Sequence, residues 1–263
     1  MRNGLSKDLI KKVLQRPADW SPMTLDELEK QYPDRFPNSD VKIGEKKINM
    51  PADVSFKPDG PHFLMNNGKM VTRFAPSPTG FMHLGGLYQM LINYKLAKQS
   101  NGVFMLRVED TDTKREVGGA VKLILDTAKI FGLNPDEGAE FGGKYGSYYQ
   151  SQRRDIYHSV ASELLATGRA YPCFLSAGDM EQIREKQKSA GFPTGVYGEW
   201  ARDRNLTDKE VISYLDAGQV PTIRLYSTGD PARKIFCKDA ARGSIAFPEN
   251  NEDIVLILSL IHI

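Results

Sequence analysis

The sequence predicts an α/β protein: a parallel sheet with helices packed on it, carrying a helical and β insertion. Three observations lead there. The apolar run Met70 to Ala75 is followed by a proline- and glycine-rich turn and then by a helical repeat. A second apolar run, Val103 to Val108, comes next, and another helical repeat follows it. Two strands joined through a helix demand parallel pairing and a right-handed crossover. The chain has 263 residues, room for one large or two modest domains, with 40% hydrophobic and 26% charged residues, as in a soluble globular protein. A net charge of +2 announces no nucleic-acid binder by its total, yet permits a local basic surface. Two cysteines, Cys173 and Cys237, make no disulfide framework and fit a reducing, cytoplasmic setting. The start, MRNGLSKDLIKKVLQRP, is charged throughout, and the longest apolar run, Ile254 to Ile261, falls short of the ~20 residues of a membrane span. No membrane partner is expected.

Taken in order, Leu5, Leu9, Val13 and Leu14 repeat at helical spacing. Thr24-Leu25-Asp26-Glu27 is a capping box that opens a second short helix. Pro33 to Lys69 shows no sustained periodicity and reads as a linker or an irregular wrap. Beyond the first strand, Leu87, Met90, Leu91 and Tyr94 mark a helix. Beyond the second strand, Val117, Val121, Ile124, Ala128 and Phe131 mark another, ended by Gly132. A glycine-rich loop runs from Asn134 to Gly146, and an amphipathic helix from Ser151 to Thr167. Arg169 to Phe174 reads as a third strand. Residues 177 to 218 read as a helical insertion whose second helix opens on a capping box, Thr207 to Glu210. Four strand-like pieces follow: Thr222 to Tyr226, Lys234 to Cys237, Ser244 to Phe247 and Asp253 to Ile257.

The stretch RFAPSPTGFMHLGG, Arg73 to Gly86, sits between the first strand and its helix. Ligands of open α/β sheets bind beyond the carboxyl ends of such strands. Pro76 and Pro78 stiffen the turn, and Gly80, Gly85 and Gly86 let a ligand approach the backbone. A helix starting near His83 offers open N–H groups and a positive dipole end. His83 adds a donor and Arg73 a fixed positive charge, so a phosphorylated ligand such as a nucleotide fits. A purely structural strand-to-helix turn, with His83 as a cap, has the same pattern. No GxxxxGK[ST] and no GxGxxG occurs.

TRFAPSPTGFMHLGG followed by FMLRVEDTD resembles the catalytic domain of bacterial glutamyl-tRNA synthetases, class I aminoacyl-tRNA synthetases with a Rossmann-type core. Three further segments match in order: YGSYYQSQRRDIY (Tyr145 to Tyr157), GRAYPCF (Gly168 to Phe174) and KIFCKDAARGSIAF (Lys234 to Phe247). The resemblance covers Val71 to about Ile257. It implies ATP-dependent activation of L-glutamate to glutamyl-adenylate and transfer to tRNA(Glu), with Mg2+ accompanying ATP, by a cytoplasmic monomer. The histidine–glycine signature falls on His83, Gly85 and Gly86, the catalytic candidates, with the signature's second histidine replaced by Gly86. Glutamate binding is assigned by resemblance to Arg73, Ala75, Ser77 and Glu109, and ATP binding to Pro76, Ser77, Thr79, Gly80, His83, Gly85 and Gly86. Arg73 suits the side-chain carboxylate and Glu109 the ammonium group. Asp110 and Asp112 are read as an acidic turn or a helix cap, and no residue is assigned to a metal. Arg184, Lys186, Lys188, Arg202 and Arg204 are candidates for RNA phosphates, or else a solvated face.

The implied organisation is a helical extension and linker (1–69), the first half of the Rossmann-type core (70–174), an insertion for the RNA acceptor end (175–221), return strands (222–257) and an artefactual tail (258–263) that resembles a translated sequencing adaptor. The pattern departs from the family in three ways. Leu175 stands where a C-x-C zinc pair would continue from Cys173, and Trp200-Ala201 stands near a later ligand, so no zinc is expected and both cysteines read as packed thiols. Many members begin near the first strand and lack the extension. The lysine-rich second ATP signature is absent, so the chain reads as truncated before completion and inactive alone. Two other readings remain: an enzyme that glutamylates a modified base of tRNA(Asp), and a non-catalytic RNA-binding fragment.

Overall fold

The computed structural model describes residues 4–31, 41–43, 46–48, 65–66, 69–80, 82–111, 117–144, 146–239 and 242–258. Its helices are α1 (Lys7–Val13), α2 (Leu25–Gln31), α3 (Leu84–Gln99), α4 (Ala120–Ile130), α5 (Arg154–Ala166), α6 (Ala177–Ser189) and α7 (Asp208–Asp216). Its strands are β1 (Val41–Ile43), β2 (Lys46–Ile48), β3 (Met65–Asn66), β4 (Lys69–Phe74), β5 (Val103–Leu106), β6 (Glu137–Gly138), β7 (Ala170–Cys173), β8 (Thr222–Leu225), β9 (Lys234–Asp239), β10 (Gly243–Pro248) and β11 (Val255–Ile257). The chain forms two compact units. One is Met23–Ile156, and the other joins Met1–Pro22 to Tyr157–Ile263.

In the unit of residues 23–156, four strands lie in the order β3-β4-β5-β6. β4 and β5 pair in parallel, with Val71 beside Val103 and Phe74 beside Leu106, and β5 and β6 are also parallel. The two sheet faces differ because strand side chains alternate. Phe74, Phe104, Leu106 and Val108 pack with Met90 and Ala97 of α3 and with Ile124 and Ala128 of α4. The other parity holds Met105, which packs with Tyr148 and the half-buried Val71 and Val103. Both faces are thus apolar, which is why these runs read as continuous rather than alternating. α4 starts later than its repeat suggested: Val117 is exposed and its N–H donates to the Pro78 carbonyl at 2.9 Å. Phe131 is also exposed, so the buried stripe is Ala120, Ile124 and Ala128. Within the expected linker, β1 and β2 form an antiparallel pair and β3 lies against β4; residues 32–40, 44–45, 49–64 and 67–68 lie outside the described residues.

The third strand departs from expectation. β7 pairs antiparallel with β8, and β8 with β11, in a sheet of the other unit. The third parallel strand is instead the short β6, inside the segment read as a glycine-rich loop. Two residues are too few to leave a periodic signal. The division between units accordingly falls after Ile156, where a boundary after residue 174 was expected.

The second unit is built around that antiparallel sheet and the N-terminal helix. Leu5, Leu9, Ile10, Val13 and Leu14 pack with Ala161 and Leu165 of α5, Val211 of α7 and Ile223 of β8. Ser6 caps α1, and the Leu5 N–H donates to the Leu165 carbonyl at 3.0 Å. The first helix of the extension is therefore part of this core, and its helical spacing reflects burial. Two buried carboxylates fix the polar interior. Asp253, fully buried, accepts from Arg204 Nε at 2.6 Å, from the Tyr171 hydroxyl at 2.6 Å and from the Ser227 N–H at 2.8 Å. Burial first, and the Asp253 carboxylate second, push the Tyr171 phenol well above its ordinary range. Asp203, also fully buried, accepts the Phe174 N–H at 2.6 Å and pairs with Arg202. Cys173 is buried, and burial pushes its thiol up, as expected of a packed residue; Cys237 is half-buried. Ser259 to Ile263 lie outside the described residues.

Because Leu14 is fully buried in this core, Leu14→Ala should destabilise the unit by about 2–5 kcal/mol through lost transfer energy and a residual cavity. Both tryptophans, Trp20 and Trp200, belong to this unit, so tryptophan fluorescence in urea reports on it alone. An unchanged midpoint would show that the extension does not contribute to the core.

Candidate nucleotide and amino-acid site

The site grows out of the β4–β5 pairing. Past the strand ends, the turn after β4 stays bonded to the segment after β5: the Arg107 N–H donates to the Phe74 carbonyl at 3.1 Å and the Glu109 N–H to the Pro76 carbonyl at 2.9 Å. This stitching, with two prolines in the turn, holds Ala75 to Thr79 without a helix or strand of its own. Gly80 has φ +129°, which only glycine adopts freely, so the turn reverses there.

α3 begins directly after His83, which is its N-cap. The imidazole Nδ1 accepts the Gly86 N–H at 3.2 Å, so one of the helix's open amides is already used. Leu84 and Gly85 keep N–H groups with no partner among the described residues. The capping geometry fixes the neutral ring with its hydrogen on Nε2, which leaves a donor pointing away from the cap. A Cβ on Gly85 would sit 3.1 Å from the imidazole Nδ1, and one on Gly86 would sit 3.2 Å from Met82 Cγ. The two glycines thus let the capping ring and the Met82 side chain lie against the helix backbone. The structure gives them this packing role, where the sequence suggested room for a ligand.

Beside the helix start lies a cavity of about 270 Å³. Ala75, Pro76, Ser77, Thr79, Gly80 and His83 line it, as does Gly86. Phe74, Met82, Gln89 and Ile124 complete the lining. Gly85 is not part of it. Arg73 and Glu109 are not in the lining either; they meet each other. Arg73 Nη1 lies 3.1 Å from Glu109 Oε1, and Arg107 Nη2 reaches the same oxygen at 3.4 Å. About 35–40% of the Arg73 and Glu109 side chains is exposed, so water screens the pair and its worth to stability is small. The two groups assigned to opposite ends of an amino acid are therefore adjacent, and each stands where the other's ligand group would go.

Arg107 was not singled out from sequence. The signal was present: Arg73, paired with Met105, shares its sheet face with residues two and four beyond, Arg107 and Glu109. Asp110 takes the structural role expected of it, accepting the Ser151 N–H at 2.9 Å and the Ser151 hydroxyl. Asp112 and Phe81 lie outside the described residues. The YGSYYQS segment borders the site: the Val108 N–H donates to the Tyr148 carbonyl at 2.7 Å, and the Gln150 N–H to the Val108 carbonyl at 2.9 Å. Among the described residues, no three His, Cys, Asp or Glu side chains cluster as a metal site. No helix among them is long and apolar enough to cross a membrane.

A parallel sheet whose strand ends open on a cavity at a helix start defines an α/β protein of the Rossmann-like kind. The comparisons make the class specific: residues 69–260 match the family model "tRNA synthetases class I (E and Q), catalytic domain", and the chain belongs to that family. It is 46% identical over 215 residues to the glutamate–tRNA ligase of Acetivibrio thermocellus, covering 81% of this chain and 39% of that protein. The glutamate–tRNA ligase of Clostridium beijerinckii is 46% identical over 201 residues, covering 75% of this chain and 36% of that protein. A crystal structure of a glutamate tRNA ligase from Elizabethkingia meningosepticum, solved with its amino acid, superposes with a TM-score of 0.64 at 35% identity, over 74% of this chain and 40% of that one. The chain thus spans about two-fifths of the length of these relatives.

The capping geometry predicts that neutral His83 is the Nε2–H tautomer. The ¹⁵N shifts of histidine-labelled protein read this directly; a protonated Nδ1 in the neutral ring would contradict the arrangement.

Proposed function

We propose that this chain carries the amino-acid-activating portion of a glutamate–tRNA ligase. Two observations carry the reading: the Arg73–Glu109 pair at adjacent strand ends, and a cavity at the start of the histidine-capped helix that follows β4. A free glutamate brings one carboxylate more than an ordinary amino acid. Its side-chain carboxylate takes Arg73, and its ammonium takes Glu109, which Arg107 continues to hold. Ala75 and Ser77 supply the turn surface between this pair and the cavity. ATP lies along Pro76 to Gly86, its phosphates toward the open amides of Leu84 and Gly85 and the Nε2–H of His83.

The reaction is attack by the glutamate α-carboxylate oxygen on the α-phosphorus of ATP. An oxygen–phosphorus bond forms, and the bond to pyrophosphate breaks. Charge grows on the phosphate oxygens, and fixed donors stabilise it without reorganisation. Glu109 is held by two arginines and Asp110 by Ser151, so the described residues offer no carboxylate set for a magnesium ion. Their own part is binding and charge stabilisation. Residues 175–221 serve as the insertion that approaches the acceptor end of tRNA(Glu).

Titration calorimetry with L-glutamate and L-glutamine tests the reading. The chain should bind glutamate in preference to glutamine. Arg73→Ala should weaken glutamate by about 10–100-fold, the size of a lost charge-assisted hydrogen bond, and erase the preference. Unchanged affinity and discrimination would remove Arg73 from the role, and no binding of glutamate would sink the reading.

A further inference from the structure

The Glu109 carboxylate is held unevenly. Arg73 Nη1 at 3.1 Å and Arg107 Nη2 at 3.4 Å both reach its Oε1, and Oε2 has no hydrogen-bond partner among the described residues. The two arginines also differ in how they are fixed. Arg107 and Glu109 lie two residues apart on one extended segment, on the same side of it, with Cα atoms roughly 6–7 Å apart. That segment is bonded along both edges. The Arg107 and Glu109 N–H groups donate to the Phe74 and Pro76 carbonyls, the Val108 N–H donates to the Tyr148 carbonyl, and the Val108 carbonyl accepts the Gln150 N–H. Arg73 comes instead from the neighbouring strand β4. Its side chain is 40% exposed against 21% for Arg107, so it is the better hydrated of the two and has more room to turn.

We propose that Arg107 is a positioning residue: it anchors Glu109 by Oε1 and so presents Oε2 to the ammonium group of the amino acid, while Arg73 leaves Glu109 for the side-chain carboxylate. The inference follows from which contact is local. A pair built into one bonded segment outlasts the arrival of a ligand. A pair made between segments, through the more hydrated arginine, is the one that a ligand exchanges. Without Arg107, Glu109 would lose its aim whenever Arg73 turned to the ligand. Arg107 acts through Glu109 and needs no contact with the amino acid. The proposal rests on the glutamate reading and adds the residue that orients its ammonium acceptor.

The test is titration calorimetry on the purified chain with L-glutamate and with glutarate, the same diacid without the ammonium group. Arg107→Gln should weaken glutamate about tenfold and glutarate by less than about twofold. Arg107→Lys keeps the charge without the fork and should fall between the wild type and Arg107→Gln. In a Glu109→Gln background, adding Arg107→Gln should cost nothing further, because the arginine acts through that carboxylate. Far-UV circular dichroism verifies the fold of each variant, and Arg107→Lys decides by the same comparison if Arg107→Gln fails that check. Unchanged glutamate affinity would overturn the proposal. So would an equal loss on glutarate, the mark of a direct carboxylate ligand or of a structural residue, and so would an undiminished cost in the Glu109→Gln background. Any of these in a chain that still prefers glutamate to glutamine removes Arg107 alone and leaves the glutamate reading standing. A wild-type chain that binds no glutamate removes both.

Discussion

The parallel register of β4 on β5 is the constraint from which the site follows. It places Arg73 beside Met105 and thereby on the same sheet face as Arg107 and Glu109. The same ladder continues past the strands through the amides of Arg107 and Glu109 and holds the prolyl turn in place. A slip of one residue would turn Arg73 toward the helices and Phe74 out of the core, so burial of Phe74, Phe104 and Leu106 is what aims the charges. Chemistry on one face is positioned by apolar packing on the other.

Arg73 and Glu109 satisfy each other in a setting open enough for water, which keeps the pair weak and exchangeable. A ligand with a carboxylate and an ammonium at the right separation replaces one ion pair by two, so little charge is stranded. A neutral side chain in place of the carboxylate would offer Arg73 no opposite charge in exchange for Glu109. In the proposed site Arg107 would add direction, since its own contact with Glu109 does not depend on Arg73.

Much of this was legible in the sequence, for physical reasons that can be named. The β4–turn–α3–β5 order was readable because apolar runs, prolines and glycines are strong local signals. The capping boxes at Thr24 and Thr207 were readable because both partners lie within four residues, and the one at Ser176 carries Asp179, a less usual partner. The resemblance then supplied roles for His83, Arg73 and Glu109 that spacing left open. Long-range pairing was not readable. Arg169 to Phe174 looks like any buried strand, and only its partner Thr222 to Leu225, far along the chain, makes it antiparallel. β6 was too short to register. Arg107 needed strand parity and pairing together, and the role of α1 needed its partners on α5 and α7.

The account stands or falls on where the amino acid sits. A crystal structure of the chain with L-glutamate would show the side-chain carboxylate on Arg73 and the ammonium on Glu109, with their 3.1 Å contact opened and Arg107 still on Glu109. Glutamate bound elsewhere, with the Arg73–Glu109 contact intact, would contradict it.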